Sequence, residues 1–76
     1  MNPPDVFLLY MEDDEQDYLM GVFATQAGAE KYITDWGGEL IGFKAGFRVV
    51  SRFVIKDSDE DAWRDVYYVR RATVYP

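Results

Sequence analysis

The sequence predicts an α+β domain, with one helix packed on one face of an antiparallel sheet of four to five strands. Three observations predict this class. Several segments have the apolar content or the period-two alternation of strands, one segment has helical periodicity between capping residues, and the connections are short. The predicted order is β-β-α-(β)-β-β. A length of 76 residues is enough for a single domain over residues 1–76 but not for two.

Two strands are predicted before the helix. Residues 6–11 form a continuous apolar run, which is typical of a strand inside a sheet, and residues 18–24 form the second strand. Gly21 within that second strand indicates a β-bulge or a close approach of the helix. Residues 12–17, which join the two strands, include five acids and are expected to form a solvated loop.

The helix is predicted over residues 26–36. The Thr25 hydroxyl is suited to accept from a free amide at the helix start, and the glycine pair at 37–38 ends the helix. Four apolar residues recur at the spacing of one helical face: Ala29, Tyr32, Ile33 and Trp36. We expect Trp36, like Trp63, to lie in the core or at its edge.

After the helix, residues 39–43 fit either a short edge strand or a loop, whereas residues 47–56 alternate with a period of two. One side of that strand carries Phe47, Val49, Phe53 and Ile55. The other side carries Arg48, Val50, Arg52, Val54 and Lys56. Residues 63–75 are predicted to form the last strand because they are rich in Tyr, Val and Thr. The helix then covers one face of the sheet and leaves the other to solvent or to a partner.

The composition argues against catalysis. The chain contains no cysteine and no histidine, which removes thiolate chemistry, the commonest general base and the commonest metal ligand. Lysine or carboxylate catalysis stays open on residue types alone. No apolar run approaches the roughly 20 residues that a membrane helix needs. We therefore expect a soluble, cytoplasmic protein that is not an enzyme and holds no cofactor or metal.

Negative charge is concentrated in the first half of the chain. Nine acids and one base in residues 1–43 give a net charge of −8, whereas five acids and seven bases in residues 44–76 give +2. Two acidic segments stand out, at 12–17 and at 57–61. The second reads D-x-D-x-D, but an EF-hand loop then needs glycine and a later glutamate, where this chain has Ala62 and Tyr68.

The acidic segments have two interpretations: hydrated loops that keep a small protein soluble, or a recognition surface. Closely spaced carboxylates can compete for a protein surface that binds the regular phosphates of DNA. If residues 39–43 form a strand, both segments are expected at the same end of the sheet. Tyrosines of the last strand are candidate anchors. The candidate partner-binding residues are Glu12, Asp13, Asp14, Glu15, Asp17, Asp57, Asp59, Glu60, Asp61, Tyr67 and Tyr68.

A basic stripe of Arg48, Arg52 and Lys56, with Arg70 and Arg71 beside it, has its own two interpretations. Basic and aromatic side chains on a sheet can bind single-stranded nucleic acid. The alternative is cross-strand pairing with acids on the solvent face. The sequence pI of about 4.3 favours pairing, because nucleic-acid binders are usually basic. We expect no direct contact with nucleic acid.

The run Gly21-Val22-Phe23-Ala24-Thr25, followed by Ala29, Tyr32 and Ile33, resembles a pattern in small phage and prophage proteins with β-β-α-β-β domains. The segment Ala45-Gly46-Phe47-Arg48-Val49 is similar to small phage inhibitors of host RNA polymerase. By analogy with phage inhibitors of host nucleic-acid machinery, many of which are small, acidic and without catalytic residues, we expect an acidic inhibitor of a host nucleic-acid-handling protein, of the anti-CRISPR, anti-restriction or polymerase-inhibitor class. The partner would present a basic nucleic-acid-binding surface. The alternative is a structural or regulatory domain that forms a homodimer through the open sheet face or the last strand.

Overall fold

The computed structural model describes residues 4–42, 48–56 and 64–74, and within them one helix packs on a five-stranded antiparallel sheet. The predicted α+β class and element order are confirmed. The ambiguous segment at 39–43 contributes a strand. The elements are β1 Asp5–Met11, β2 Tyr18–Phe23, α1 Gln26–Asp35, β3 Glu39–Gly42, β4 Val49–Lys56 and β5 Arg64–Thr73.

The strands lie in the order β2-β1-β5-β4-β3, so β5, the last strand, is at the centre. It pairs with β1 on one side and with β4 on the other. Central strands are shielded by neighbours along both edges, and two of the completely buried strand residues, Leu9 and Val69, are paired across β1 and β5. The apolar run that predicted an interior strand thus belongs beside the centre of the sheet.

The helix forms where its capping residues predict it. Thr25 Oγ1 accepts a hydrogen bond from the Gly28 amide at 3.0 Å. At the other end, Gly37 has a φ of 95°, and the Gly38 amide donates to the Ile33 carbonyl at 2.8 Å. That positive φ is what an αL helix terminus requires, and glycine adopts it without strain. The helix ends at Asp35, one residue before the predicted end, and Trp36 is the cap.

The core lies between α1 and the face of the sheet that we call the helix face. Its buried members are Leu9, Ala29, Ile33, Phe53, Tyr67 and Val69. The opposite surface of the sheet, the open face, is covered by no helix of the described residues. Ala29 and Ile33 are buried as the helical periodicity predicts, but Trp36 is 67% exposed, which excludes the core and leaves the predicted position at its edge. It follows the last helical residue and so lies beyond the part of α1 that packs on the sheet.

Two bulges shift the alternation of the strands. In β2, the register with β1 shifts so that Leu9 pairs with Gly21 and Tyr10 pairs with Leu19, which confirms the bulge expected at Gly21. In β4, the register with β5 shifts between Val49 and Ser51.

The β4 bulge overturns part of the predicted side assignment. Val50 packs against the core on the helix face, whereas Val49 pairs with Arg70, whose partner on β1 is Leu8 on the open face. The predicted sides of these two valines are therefore exchanged. Beyond the bulge, Phe53 and Ile55 lie on the core side as predicted. Phe47 and Trp63 fall outside the described residues. Within the described part of the chain, no helix is long and apolar enough to cross a membrane.

Candidate functional site

One end of the sheet carries the first acidic segment, residues 12–17, and we call it the acidic end. β1 ends there at Met11 and β2 begins there at Tyr18, so the acidic loop, residues 12–17, connects them at this end. Met11 pairs with Tyr67 near the start of β5, and the last pair of β4 and β5 is Lys56 with Arg64. The two strand ends that border segment 57–63 therefore lie at the acidic end. Asp57, Asp59, Glu60 and Asp61 themselves fall outside the described residues.

The acidic loop is fastened to the sheet by its own first residue and by short-range bonds. The Glu12 amide donates to the Val66 carbonyl at 2.8 Å, which extends the pairing of β1 with β5 into the loop. The Asp13 amide donates to Asp17 Oδ1 at 3.4 Å, and the Asp14 amide donates to Asp13 Oδ1 at 2.6 Å. Both bonds join backbone amides of the loop to carboxylates of the same loop.

Side chains on the open face hold both ends of the acidic loop. The Tyr68 hydroxyl donates to Asp17 Oδ2 at 2.6 Å, and the Tyr68 ring stacks on Tyr10 with ring centres 5.2 Å apart. Arg52 Nη2 lies 3.2 Å from Glu12 Oε1. Glu12 is therefore ion-paired, whereas Asp17 keeps its charge and accepts a hydrogen bond, and both contacts position the loop.

The three acids between Glu12 and Asp17 make no such contact with a side chain of the described sheet. Asp13, Asp14 and Glu15 are exposed, and none of them forms an ion pair with a cation in residues 4–42, 48–56 or 64–74. An open depression of about 200 Å³ is lined by Glu12, Asp13, Asp14 and Val66. This part of the loop thus offers adjacent, unpaired carboxylates on a fixed backbone.

Metal binding is the first chemistry to test on such a loop. Among the residues that the structure describes, no group of three or more Asp or Glu side chains could hold a metal ion. The acids of the loop are exposed, and two of their carboxylates are already bonded to protein side chains. The described geometry suits contact with an extended basic surface better than enclosure of a single cation.

Tyr67 and Tyr68, adjacent candidates in the sequence, lie on opposite faces of the sheet. Tyr67 is buried in the core under α1, whereas Tyr68 lies on the open face. Burial raises the pKa of the Tyr67 hydroxyl above its usual range, and the nearby Asp65 carboxylate raises it further. The pKa of Tyr68 is raised by burial first and then by its hydrogen bond to Asp17. Tyr68 therefore belongs to the acidic end, and Tyr67 to the core.

Part of the basic stripe is paired, as cross-strand pairing predicts. Besides the Arg52–Glu12 pair, Arg71 Nε lies 3.9 Å from Asp5 Oδ2. Arg48 donates instead to the Arg71 carbonyl at 2.8 Å and to Thr73 Oγ1 at 3.0 Å. Arg70 Nε is buried and has no hydrogen-bond partner among the described residues. The side chain of Lys56 is not described.

A second feature near the acidic end was missed by sequence reasoning. An apolar cleft of about 70 Å³ lies between α1 and the helix face, lined by Leu9, Met20, Tyr32, Ile33, Trp36, Ile55 and Tyr67. Sequence reasoning missed the cleft because the helical periodicity assigns Tyr32 and Trp36 to the core side of α1. The bulge expected at Gly21 was the sequence signal that could have revealed the cleft, because that bulge brings Met20 to the helix face.

No protein family, curated protein or solved structure matches the chain. The resemblance to small phage proteins therefore remains a prediction from the sequence pattern.

Proposed function

We propose that this protein is a non-enzymatic interaction domain, and that its acidic end occupies a positively charged, nucleic-acid-binding surface of another protein. The observation that carries the proposal is the state of Asp13, Asp14 and Glu15. They are exposed, form no ion pair with a described cation, and stand on a loop that the sheet holds at both ends.

The physical reason is the similarity of such a loop to a nucleic-acid backbone. Duplex DNA presents one negative charge for about every 1.7 Å of its axis, and proteins bind it mainly through lysine and arginine. A run of adjacent carboxylates offers the same sign of charge at comparable density. Because the loop is already ordered by Glu12 and Asp17, less conformational entropy is lost on binding than for a free acidic peptide.

A more specific proposal is that the domain inhibits the protein that it binds. A protein that covers a basic nucleic-acid site competes with the nucleic acid for it, so the expected outcome is loss of the partner's activity. The charge distribution and the resemblance to small phage proteins support a host nucleic-acid-handling protein as the target, of the anti-CRISPR, anti-restriction or polymerase-inhibitor class. Segment 57–61 contains four carboxylates, and the strand ends that flank it lie at the acidic end.

The test is affinity capture from a bacterial lysate with two charge-matched variants. Asp13→Asn with Asp14→Asn removes two charges from the acidic loop, whereas Glu30→Gln with Asp35→Asn removes two from the helix. We expect the loop variant to lose captured nucleic-acid-binding proteins and the helix variant to retain them. An equal loss of capture in both variants would show that overall charge, not the acidic end, drives binding, and full retention by both would contradict an electrostatic contact.

The salt dependence of association and competition by duplex DNA then test whether the contact is electrostatic. Association with the captured protein is expected to slow about tenfold or more between low salt and a few hundred millimolar salt, because steering between charged surfaces is screened. Excess duplex DNA should displace the domain. An association rate that is independent of salt would remove the electrostatic basis of the proposal.

A second candidate function is homodimerisation through the open face. Leu19 and Val22 pair with Tyr10 and Leu8 on that face and are 53% and 59% exposed, and α1 covers the opposite side. Sedimentation at high protein concentration distinguishes the two functions. A dimer that dissociates on Val22→Lys supports self-assembly, and a monomer at all concentrations excludes it.

A further inference from the structure

Exposed apolar side chains from two elements converge on the cleft beside α1. Met20 of β2, Tyr32 of α1 and the cap residue Trp36 are 45%, 37% and 67% exposed, and all three line it. The floor is made of core residues, including Leu9 and Tyr67. The cleft thus connects the surface directly with the core.

The walls of the cleft are held in place. The Phe23 and Tyr32 rings lie 5.4 Å apart, and the Tyr32 and Trp36 rings 6.0 Å apart, so a chain of aromatic contacts runs from the half-buried Phe23 to the exposed Trp36. On the opposite wall, the β2 bulge opposes Leu9 with both Met20 and Gly21. Rings that are fixed before binding lose little entropy when a partner docks.

The size of the cleft limits what it can accept. Small-molecule and cofactor sites usually measure about 300–1,000 Å³, whereas this cleft holds about 70 Å³. Its lining is almost wholly apolar, so it offers little to orient a polar ligand. A volume of this order suits one aliphatic side chain entering from outside.

The charge at the rim indicates what surrounds that side chain. Asp65 pairs with Ile55 of the cleft wall and precedes Tyr67 by two residues, so it lies on the helix face beside that wall. It is exposed and forms no ion pair with a described cation. Its field reaches the Tyr67 hydroxyl, whose pKa it raises in addition to the effect of burial. A cation beside the entering side chain would therefore be attracted.

We propose that this cleft is an anchor pocket for a basic peptide segment of a partner protein, which inserts one Leu, Ile or Met side chain between Met20 and Trp36 and places a flanking Lys or Arg against Asp65. The inference rests on the proposed function and deepens it, since it adds an apolar contact to the charged contact that the acidic loop would make with the partner. Apolar anchors in fitted pockets commonly dominate such interfaces, with charges around them setting orientation.

The test uses two fluorescein-labelled peptides that carry the same four lysines around a central Leu or a central Ser. Fluorescence anisotropy with the wild-type protein should show about tenfold tighter binding of the Leu peptide. Trp36→Ala should bring the two affinities together, and Asp65→Asn should weaken both peptides. Val22→Ala is the matched control, because it truncates an exposed apolar side chain on the open face and should leave the ratio unchanged.

Failure of the inference and failure of the proposed function give different results. Equal, salt-sensitive binding of both peptides, abolished by Asp13→Asn with Asp14→Asn, would overturn the anchor pocket while leaving the acidic surface in place. A tenfold preference for Leu that survives Trp36→Ala would also overturn it. So would the absence of Leu-peptide binding at millimolar protein. A Leu preference that depends on Trp36 but is insensitive to salt and to the loop variant would support the pocket and count against the acidic surface.

Discussion

Tyr68 and Asp17, which are 51 positions apart in the sequence, are joined by a hydrogen bond of 2.6 Å from the phenol hydroxyl to the carboxylate. Tyr68 lies on the central strand β5, so this bond ties the last residue of the acidic loop to the middle of the sheet. The stacked ring of Tyr10 limits the movement of the Tyr68 ring. The order of the acidic loop thus depends on a hydrogen bond from the Tyr68 hydroxyl to Asp17, one of the acids of that loop.

Titration of the Tyr68 hydroxyl is expected to lower the stability of the protein at alkaline pH. Burial, together with the Asp17 bond, raises its pKa above the ordinary value of about 10. The contribution of the protonated hydroxyl to the free energy of unfolding is therefore complete below the unfolded-state pKa, and it is lost as pH rises through the higher folded-state pKa. We expect the free energy of unfolding, measured by denaturant titration, to decline above about pH 10, and to decline less steeply in Tyr68→Phe.

Asp17→Asn is the matched control for that measurement, because the amide oxygen still accepts the hydrogen bond but the negative charge is gone. Its slope above pH 10 should lie between those of wild type and Tyr68→Phe. Some slope should remain in each variant, since the pKa of Tyr67 is also raised. Identical slopes in all three proteins would contradict a role for the Tyr68–Asp17 bond.

Gly21→Ala is expected to destabilise the protein by about 1–3 kcal/mol. A Cβ atom at Gly21 would come within 2.9 Å of Phe23 Cε1, and the Phe23 ring packs against the core. Thermal or denaturant unfolding measures the change. Gly42→Ala is the comparison, since a Cβ at Gly42 meets nothing within 4 Å, and its effect should be much smaller.

Thr25→Ala should cost about 1 kcal/mol of unfolding free energy, because the Gly28 amide loses its acceptor. Thr34→Ala changes the same residue type within the same helix and should be neutral or slightly stabilising. The Thr34 hydroxyl only donates back to the Glu30 carbonyl at 2.7 Å, and alanine is the better helix former. Equal losses in both variants would exclude the capping explanation.

Ser51→Ala is expected to stabilise the fold by about 1 kcal/mol. The Ser51 side chain is completely buried opposite Val69, and its hydroxyl has no hydrogen-bond partner in the described part of the chain. Alanine removes that unsatisfied group and leaves only a small change in volume. A loss of stability in denaturant titration would mean that the hydroxyl is satisfied by a buried water or by a residue outside the described ranges.

Local sequence patterns determined the elements of this protein. Thr25 and the glycine pair at 37–38 define the helix because capping depends on residues that are neighbours along the chain. Period-two alternation identifies most of β4 for the same reason, and the charge of the acidic loop is independent of how the strands are ordered.

Only the tertiary structure decided which of these features act together. The placement of β5 between β1 and β4 brings Tyr68 to Asp17 and Arg52 to Glu12, pairs that no local pattern relates. It also puts Tyr67 in the core and Tyr68 on the open face, a choice that alternation alone leaves undecided. Trp36 has the helical phase of a core residue, but α1 stops packing before it, and the β2 bulge turns Met20 toward it. Exposure depends on where neighbouring elements end, and that is a property of the assembled fold.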